Sequence, residues 1–221
     1  MVEHLYTLLL IVLSYLSGST PTSIIAGKLL GRIDIREHGS GNAGATNVSR
    51  VLGWRPALFV VLVDILKGWF PCAILARYFF DVQSIPDFGV LQIFCGCSAV
   101  LGHTYTVFGG FKGGKGVSTL GGMMLALFPT VFPFCLVIAI ITIILTGYVS
   151  LASIIASCSL PILLILLPPF LHLSPAPLSI LIFSLLVPWF IIFTHRSNLQ
   201  RLRDGSENQF KNAMLFKKGK V

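Results

Sequence analysis

Residues 116–194 contain no Asp, Glu, Lys or Arg, and this uncharged stretch is the strongest constraint on the fold. A soluble domain needs charged side chains on its surface, whereas the whole chain is 55% hydrophobic and only 11% charged. The apolar residues come in blocks of about 17–25, the length with which an α-helix crosses about 30 Å of hydrocarbon. The period-2 alternation of a membrane barrel is missing. The sequence therefore predicts an all-α integral membrane protein.

The positive charge of the chain is concentrated in three segments. The net charge is +8, and a basic face toward anionic lipid headgroups explains it, so we expect no nucleic-acid partner. By the positive-inside rule the three segments are cytoplasmic, as loops of about residues 28–55 and 109–116 and a tail of residues 195–221. Their basic residues are Lys28, Arg32, Arg36, Arg50 and Arg55 in the first, Lys112 and Lys115 in the second, and Arg196, Arg201, Arg203, Lys211, Lys217, Lys218 and Lys220 in the third.

The number of spans follows from parity. Four apolar blocks are easily recognised, at residues 5–27, 56–80, 88–108 and 177–194. Because both segments that flank residues 116–194 are expected inside, an even number of spans lies between them, and two helices are too short to fill that stretch. Four spans there predict seven transmembrane helices, with the N-terminus outside and the C-terminus cytoplasmic, in a single domain of residues 1–221. The first block lacks a basic segment before it, which favours a span over a cleaved signal peptide.

Two features inside the apolar blocks bear on function. The five cysteines are odd in number and all lie in apolar blocks, so we expect neither a disulfide framework nor a metal site. Asp64 and Lys67 lie on one face of the second span, close enough to pair. Such a pair is either functional or a neutralised structural pair that faces inward, and the sequence leaves both interpretations open.

The block at residues 117–128 is short for a span, so we expect it to begin in the preceding loop or to be covered by neighbouring helices.

The first cytoplasmic loop has the composition of an anion-binding loop. Its glycines allow the backbone N–H groups to turn toward a ligand, its neutral polar side chains add hydrogen bonds, and its arginine adds a fixed fork. The alternative is an ordinary turn between helices, since Gly, Ser and Asn are common turn residues. The residues concerned are Ser40, Gly41, Asn42, Gly44, Thr46, Asn47 and Arg50.

The second cytoplasmic segment nearly matches a Walker A motif. Gly109 is followed after four residues by Gly114 and Lys115, but Gly116 stands where the Ser or Thr that binds magnesium is required, and apolar spans replace the strand–loop–helix context. Nucleotide hydrolysis is therefore disfavoured. A phosphate cradle made of glycine amides and lysine charge remains, with Lys112, Gly113, Gly114 and Lys115 as its candidates. The alternative is a basic connector that anchors helix ends.

The third segment begins where the last span meets water. His195 and Asn198 are three residues apart, as are Asn198 and Arg201, so each pair shares a face if the helix continues. A histidine at such a position is often only a solvated helix terminator. Its place among three polar segments that are all expected on the cytoplasmic side raises the chance of a functional role.

Together the three segments resemble the bacterial acyl-phosphate:glycerol-3-phosphate acyltransferase family, known as PlsY. The resemblance rests on residues 39–50, on Gly102-His103 through residues 111–116, and on His195, Asn198, Arg201, Gly205 and Glu207. It implies transfer of a fatty acyl group from acyl phosphate to the 1-hydroxyl of sn-glycerol 3-phosphate, without an organic cofactor or a metal, in the bacterial cytoplasmic (inner) membrane. The products are lysophosphatidate and phosphate, in phospholipid synthesis.

The resemblance also assigns roles to residues. It places Ser40 and Arg50 in a catalytic first motif, Gly113, Gly114 and the neighbouring lysines in the glycerol-phosphate site, and His195, Asn198 and Glu207 in a third motif. Direct attack by the glycerol hydroxyl is the preferred route, with His195 as base or phosphate ligand, and Ser40 as an acyl-enzyme nucleophile is the alternative. We expect a monomer or a weak homodimer. A transporter of a phosphorylated anion is the rival function, although it predicts polar groups through the membrane depth.

Overall fold

The computed structural model describes residues 2–82, 84–210 and 214. These residues form helices and connecting loops, and the described part of the chain contains no strand. The chain divides into two compact units, residues 1–128 and 129–221, and each unit is described by itself. The prediction of an all-α membrane protein is confirmed, since four described helices are long and apolar enough to cross a membrane, or five if one bent pair is a single span.

The first unit contains the N-terminal helices and the first two basic segments. Pro21 lies between its first two helices, where the missing N–H group and fixed φ of proline favour a break. Leu52 and Gly53 separate the third helix from the fourth. The helices are α1 (Val2–Ser19), α2 (Thr22–Ala26, continued by a π-helical turn at Gly27–Gly31), α3 (Ala45–Val51), α4 (Trp54–Phe70, continued by a π-helical turn at Pro71–Leu75), α5 (Ala76–Phe79), α6 (Phe88–Thr104) and α7 (Val117–Leu127).

Two close helix pairs, α1 with α6 and α4 with α7, organise this unit. On α4 and α7 the contact depends on glycine, because a Cβ atom on Gly68 would overlap the Thr119 carbonyl and one on Gly122 would overlap the Ile65 carbonyl. Small residues at a helix interface let backbones approach closely, which drives association where lipid removes the hydrophobic advantage. Helix α7 is thereby covered by α4, as the sequence allowed for this short block.

The second unit contains the remaining helices, α8 (Phe132–Thr146), α9 (Val149–Phe170), α10 (Leu178–Thr194) and α11 (Arg196–Arg203). Gly147 ends α8 with φ of 74°, a left-handed conformation that glycine adopts without strain. Pro161 lies inside α9 and Pro188 inside α10, so these prolines do not end the spans. Proline is tolerated within membrane helices where neighbouring groups satisfy the carbonyls it frees. Since α7 and α8 are short for spans, the total of seven spans stays a prediction.

Candidate functional site

The side chain of Asn47 fixes the backbone of the first basic loop. The Ser40 backbone N–H donates to Asn47 Oδ1 at 2.7 Å, and Asn47 Nδ2 donates to the Ile35 and His38 carbonyls, both at 2.9 Å. Asn47 is 1% exposed, so its amide is committed to the loop. A substrate-binding role for Asn47 stays a prediction, whereas these three hydrogen bonds show that it fixes the backbone at Ser40.

The second segment folds back on the end of α6. The Gly113 N–H donates to the Thr104 carbonyl at 3.0 Å, and the Gly114 N–H donates to the His103 carbonyl at 3.2 Å. These two amides were expected to point at a phosphate, but they donate to carbonyls at the end of α6 instead. The glycines instead allow close packing: a Cβ atom on Gly114 would lie 2.6 Å from the Ala43 carbonyl oxygen and would overlap the His103 ring.

The first and second segments meet in the first unit. Arg36 bridges them, since its Nη1 donates to the Gly109 carbonyl at 2.7 Å while its Nη2 and Nε bind Asp34, with a shortest N–O distance of 2.6 Å. The hydrogen bonds from Arg36 lower the pKa of Asp34 to about 2. Arg36 was not predicted as a site residue, because nothing in its local sequence distinguishes a bridging arginine from a membrane anchor.

A polar pocket lies where these loops meet the C-terminal ends of α1 and α6 and the part of α4 that carries Asp64 and Lys67. Its cavity volume is about 10 Å³, room for about one water molecule. Lys67 Nζ lies 2.8 Å from Asp64 Oδ1 and donates to the Thr20 carbonyl at 2.8 Å, and His103 Nδ1 lies 3.8 Å from the same carboxylate oxygen. The pocket is lined among others by Lys67, His103, Thr106, Ala43, Gly113 and Gly114.

The other predicted residues of the first two segments belong to the same unit. Ser40, Asn42, Gly44, Thr46, Arg50 and Lys115 are half-buried, and Gly41 and Lys112 are exposed. His103 and Thr106 line the pocket but were not predicted as site residues. Both belong to the segment that carried the second motif, so their place in that motif was the available signal.

The third segment lies in the second unit, where the helix does not continue straight through His195. Helix α10 ends at Thr194, and α11 starts at Arg196 with its axis bent by 63°. His195 is the junction residue, only 3% exposed. Its Nδ1 lies 2.9 Å from the Ile191 carbonyl oxygen, and a carbonyl can only accept, so Nδ1 carries the proton. In the neutral form of the ring, the lone pair is then on Nε2.

Glu207 organises the end of the third segment. Its carboxylate accepts hydrogen bonds from Asn198 Nδ2 at 2.6 Å, Ser150 Oγ at 2.9 Å and Arg201 Nε at 2.8 Å. Burial raises the pKa of Glu207, but these three donors outweigh it, and the net effect is a lowered pKa. Asn198, Arg201 and Glu207 therefore form one network, whereas their predicted contact with substrate stays a prediction.

Comparison with known proteins identifies close relatives along nearly the whole chain. The family model described as glycerol-3-phosphate acyltransferase matches residues 8–205. Proteins named glycerol-3-phosphate acyltransferase are 39% identical in Pelodictyon phaeoclathratiforme, covering 91% of this chain and 95% of that protein, and 42% identical in Chlorobium phaeobacteroides strain BS1, covering 94% and 98%.

Two solved structures are also similar. Crystal structures of PlsY (YgiH), an integral membrane glycerol 3-phosphate acyltransferase, match in the glycerol 3-phosphate form and in the lysophosphatidic acid form, each with a TM-score of 0.76. They are 36% and 37% identical to this chain, cover 92% of it, and are themselves covered to 95% and 94%. The family predicted from the three polar segments is confirmed.

Proposed function

Because the chain belongs to the glycerol-3-phosphate acyltransferase family, we propose that it transfers a fatty acyl group from acyl phosphate to the 1-hydroxyl of sn-glycerol 3-phosphate. The products are lysophosphatidate and inorganic phosphate, and the reaction belongs to phospholipid biosynthesis. The related PlsY structures are a glycerol 3-phosphate form and a lysophosphatidic acid form, which supports glycerol 3-phosphate as the acceptor and lysophosphatidate as the product.

The observation that carries this proposal is that the first two segments meet at a buried polar pocket, which brings their backbones next to each other. Lys67 and His103 lie there, deep among apolar helices, beside the backbone of both glycine-containing loops. A phosphorylated acceptor needs cationic and hydrogen-bonding groups, and a fatty acyl donor needs adjacent apolar surface. Arg50, Lys112 and Lys115 of the same two segments supply the positive charge for the phosphate.

The chemistry is a direct displacement at the acyl carbonyl. The 1-hydroxyl oxygen attacks the carbonyl carbon, the bond between that carbon and the phosphate oxygen breaks, and phosphate leaves with the electron pair. Phosphate is a good leaving group, so catalysis consists mainly of positioning the substrates and stabilising developing negative charge. The hydroxyl proton passes to Nε2 of His195, or to the departing phosphate if His195 binds phosphate instead.

The proposed enzyme spans the bacterial cytoplasmic membrane seven times as a single domain, with the N-terminus outside and the C-terminus in the cytoplasm. The distribution of Lys and Arg supports this orientation. Its partners are the two substrates and membrane lipid, without nucleic acid. A monomer or a weak homodimer is sufficient for the reaction.

Phosphate release by the purified, detergent-solubilised protein tests this function. Palmitoyl phosphate and sn-glycerol 3-phosphate are the substrates, with palmitoyl-CoA as the comparison donor. We expect release that depends on glycerol 3-phosphate, formation of lysophosphatidate, and no product from the CoA donor. Product from palmitoyl-CoA alone would refute the proposed donor. A folded preparation that forms no product from either donor would reject the enzyme and leave anion flux in proteoliposomes as the rival to measure.

A further inference from the structure

Asp64, Lys67 and His103 form a buried polar cluster beneath the second cytoplasmic segment. Their exposed fractions are 2%, 6% and 7%, so the charges of Asp64 and Lys67 are almost completely removed from water. Burying an ion pair costs much of the Coulomb energy it recovers, and an apolar pair of similar volume is often as stable. A contribution to net stability therefore does not by itself explain why Asp64 and Lys67 are buried here.

The cluster joins three parts of the first unit. Lys67 Nζ binds Asp64 on its own helix and the Thr20 carbonyl at the break between α1 and α2. Asp64 in turn faces His103 on α6 at 3.8 Å. The ammonium group of Lys67 and the carboxylate of Asp64 thus link α1, α4 and α6 next to the pocket.

His103 connects this cluster to the glycine loop. Its backbone carbonyl accepts the Gly114 N–H at 3.2 Å, and its ring lies so close to Gly114 that a Cβ atom there would overlap it. On its other side Gly114 approaches the Ala43 carbonyl of the first loop. Displacement of the His103 ring would therefore move the Gly113–Gly114 backbone relative to the first loop.

We infer that Asp64, Lys67 and His103 are positioning residues that set the distance between the two cytoplasmic loops and thereby the affinity for the phosphorylated acceptor. The inference rests on the proposed function and adds a role that neither polar segment reveals. The cluster acts through the loops, and the substrate phosphate binds to other groups of the two segments. Its loss should weaken acceptor binding while the acyl-transfer step itself is preserved.

The main test is the double variant Asp64→Asn/Lys67→Met, which removes both charges together and avoids leaving one buried charge unpaired. We expect the KM for glycerol 3-phosphate to rise by about tenfold or more, with kcat within about threefold and the KM for palmitoyl phosphate unchanged, because misplaced binding groups lower affinity steeply. Ser14→Ala is the matched control, since it removes a buried polar group of α1 that donates to the Leu10 carbonyl of the same helix and lies outside the cluster, and it should leave both KM values unchanged.

A second measurement does not depend on turnover. Hydrogen exchange of the peptide that contains Gly113 and Gly114 reports whether their amides keep their bonds to the His103 and Thr104 carbonyls. We expect faster exchange of this peptide in the double variant and parental exchange in Ser14→Ala. If the double variant does not fold, His103→Gln is judged by the same two readouts.

The outcomes separate this inference from the function it rests on. An inactive parent protein rejects the proposed function. An active parent whose folded variant keeps the parental KM for glycerol 3-phosphate and parental exchange overturns only the positioning role. A fall in kcat without a change in that KM also overturns it, because it would place the cluster in the chemical step.

Discussion

The backbone N–H of Ser40 donates to the side-chain Oδ1 of Asn47 across seven residues of the first loop. The same Asn47 side chain donates to two further loop carbonyls. The backbone conformation at Ser40, the candidate nucleophile, therefore depends on the buried side chain of Asn47.

Asn47→Ala should unfold the first loop locally. Three hydrogen bonds are lost and the Ser40 N–H loses its acceptor, whereas the Ile35 and His38 carbonyls each keep one backbone donor; we expect this to cost about 2–5 kcal/mol of unfolding free energy. Activity should fall strongly because the Ser40 backbone is released. Thermal unfolding and phosphate release are measured together, with Ser49→Ala on the same helix as control. An active, equally stable Asn47→Ala protein would contradict the bracing role.

Ser40→Ala distinguishes the two catalytic routes. Direct attack by the glycerol hydroxyl predicts that turnover persists, reduced by about 10–100-fold through the loss of one polar contact. An acyl-enzyme on Ser40 predicts that turnover is abolished. Phosphate release measures the first effect, and trapping of a labelled acyl group on Ser40 of the parent protein would overturn the direct route.

Gly114→Ala should be much more damaging than Gly110→Ala in the same loop. A Cβ atom at Gly114 would overlap the His103 ring and press on the Ala43 carbonyl, whereas a Cβ atom at Gly110 meets nothing within 4 Å. Gly110 has φ of 66°, so its replacement costs only backbone strain of about 1 kcal/mol. We expect the KM for glycerol 3-phosphate to rise by about tenfold for Gly114→Ala only. Equal effects of the two variants would argue against the close contact.

Arg36→Lys tests the bridge between the loops. A lysine has one nitrogen and cannot bind Asp34 and the Gly109 carbonyl with the geometry of a guanidinium. We expect the KM for glycerol 3-phosphate to rise by about threefold, with a loss of stability below about 1 kcal/mol because the pair is partly exposed. Arg32→Lys, at an exposed neighbouring position, is the control.

The pH dependence of this effect has a definite sign. The pKa of Asp34 is lowered to about 2, so the stabilisation by the pair is present above the ordinary aspartate pKa and is lost only as the pH falls toward 2. The difference between parent and Arg36→Lys should therefore be constant from about pH 6 to about pH 9. A difference that titrates in that range would show that another group controls the bridge.

Glu207→Gln should destabilise the third segment in a pH-dependent manner. The pKa of Glu207 is lowered from 4.5, so its charged form stabilises the fold fully above that value, and this contribution is lost as the pH falls through the lowered pKa. The difference in Tm between parent and variant should be largest near neutral pH and should shrink below about pH 4. A difference independent of pH would mean that shape, and not charge, is what Glu207 contributes.

The sequence by itself determined the solvent, the helical class and the family of this protein. A stretch of this length without charged residues is not compatible with a soluble domain, so it lies in a membrane. Within a membrane each span must form its backbone hydrogen bonds internally, which favours helices. The three polar segments were recognisable because Gly, Ser, Asn and His are informative where everything around them is apolar. These are properties of local composition, which the order of residues expresses directly.

Only the tertiary structure decided which atoms of those segments meet. The amides of Gly113 and Gly114 could not be assigned from the sequence, because their partners are carbonyls at the end of α6 that approach only when the loop folds back. The break at His195 and the burial of Asp64, Lys67 and His103 in one cluster likewise depend on contacts with other helices. A buried hydrogen-bonding group takes whichever partner the packing brings within about 3 Å, and that distance is set by residues far away in the chain.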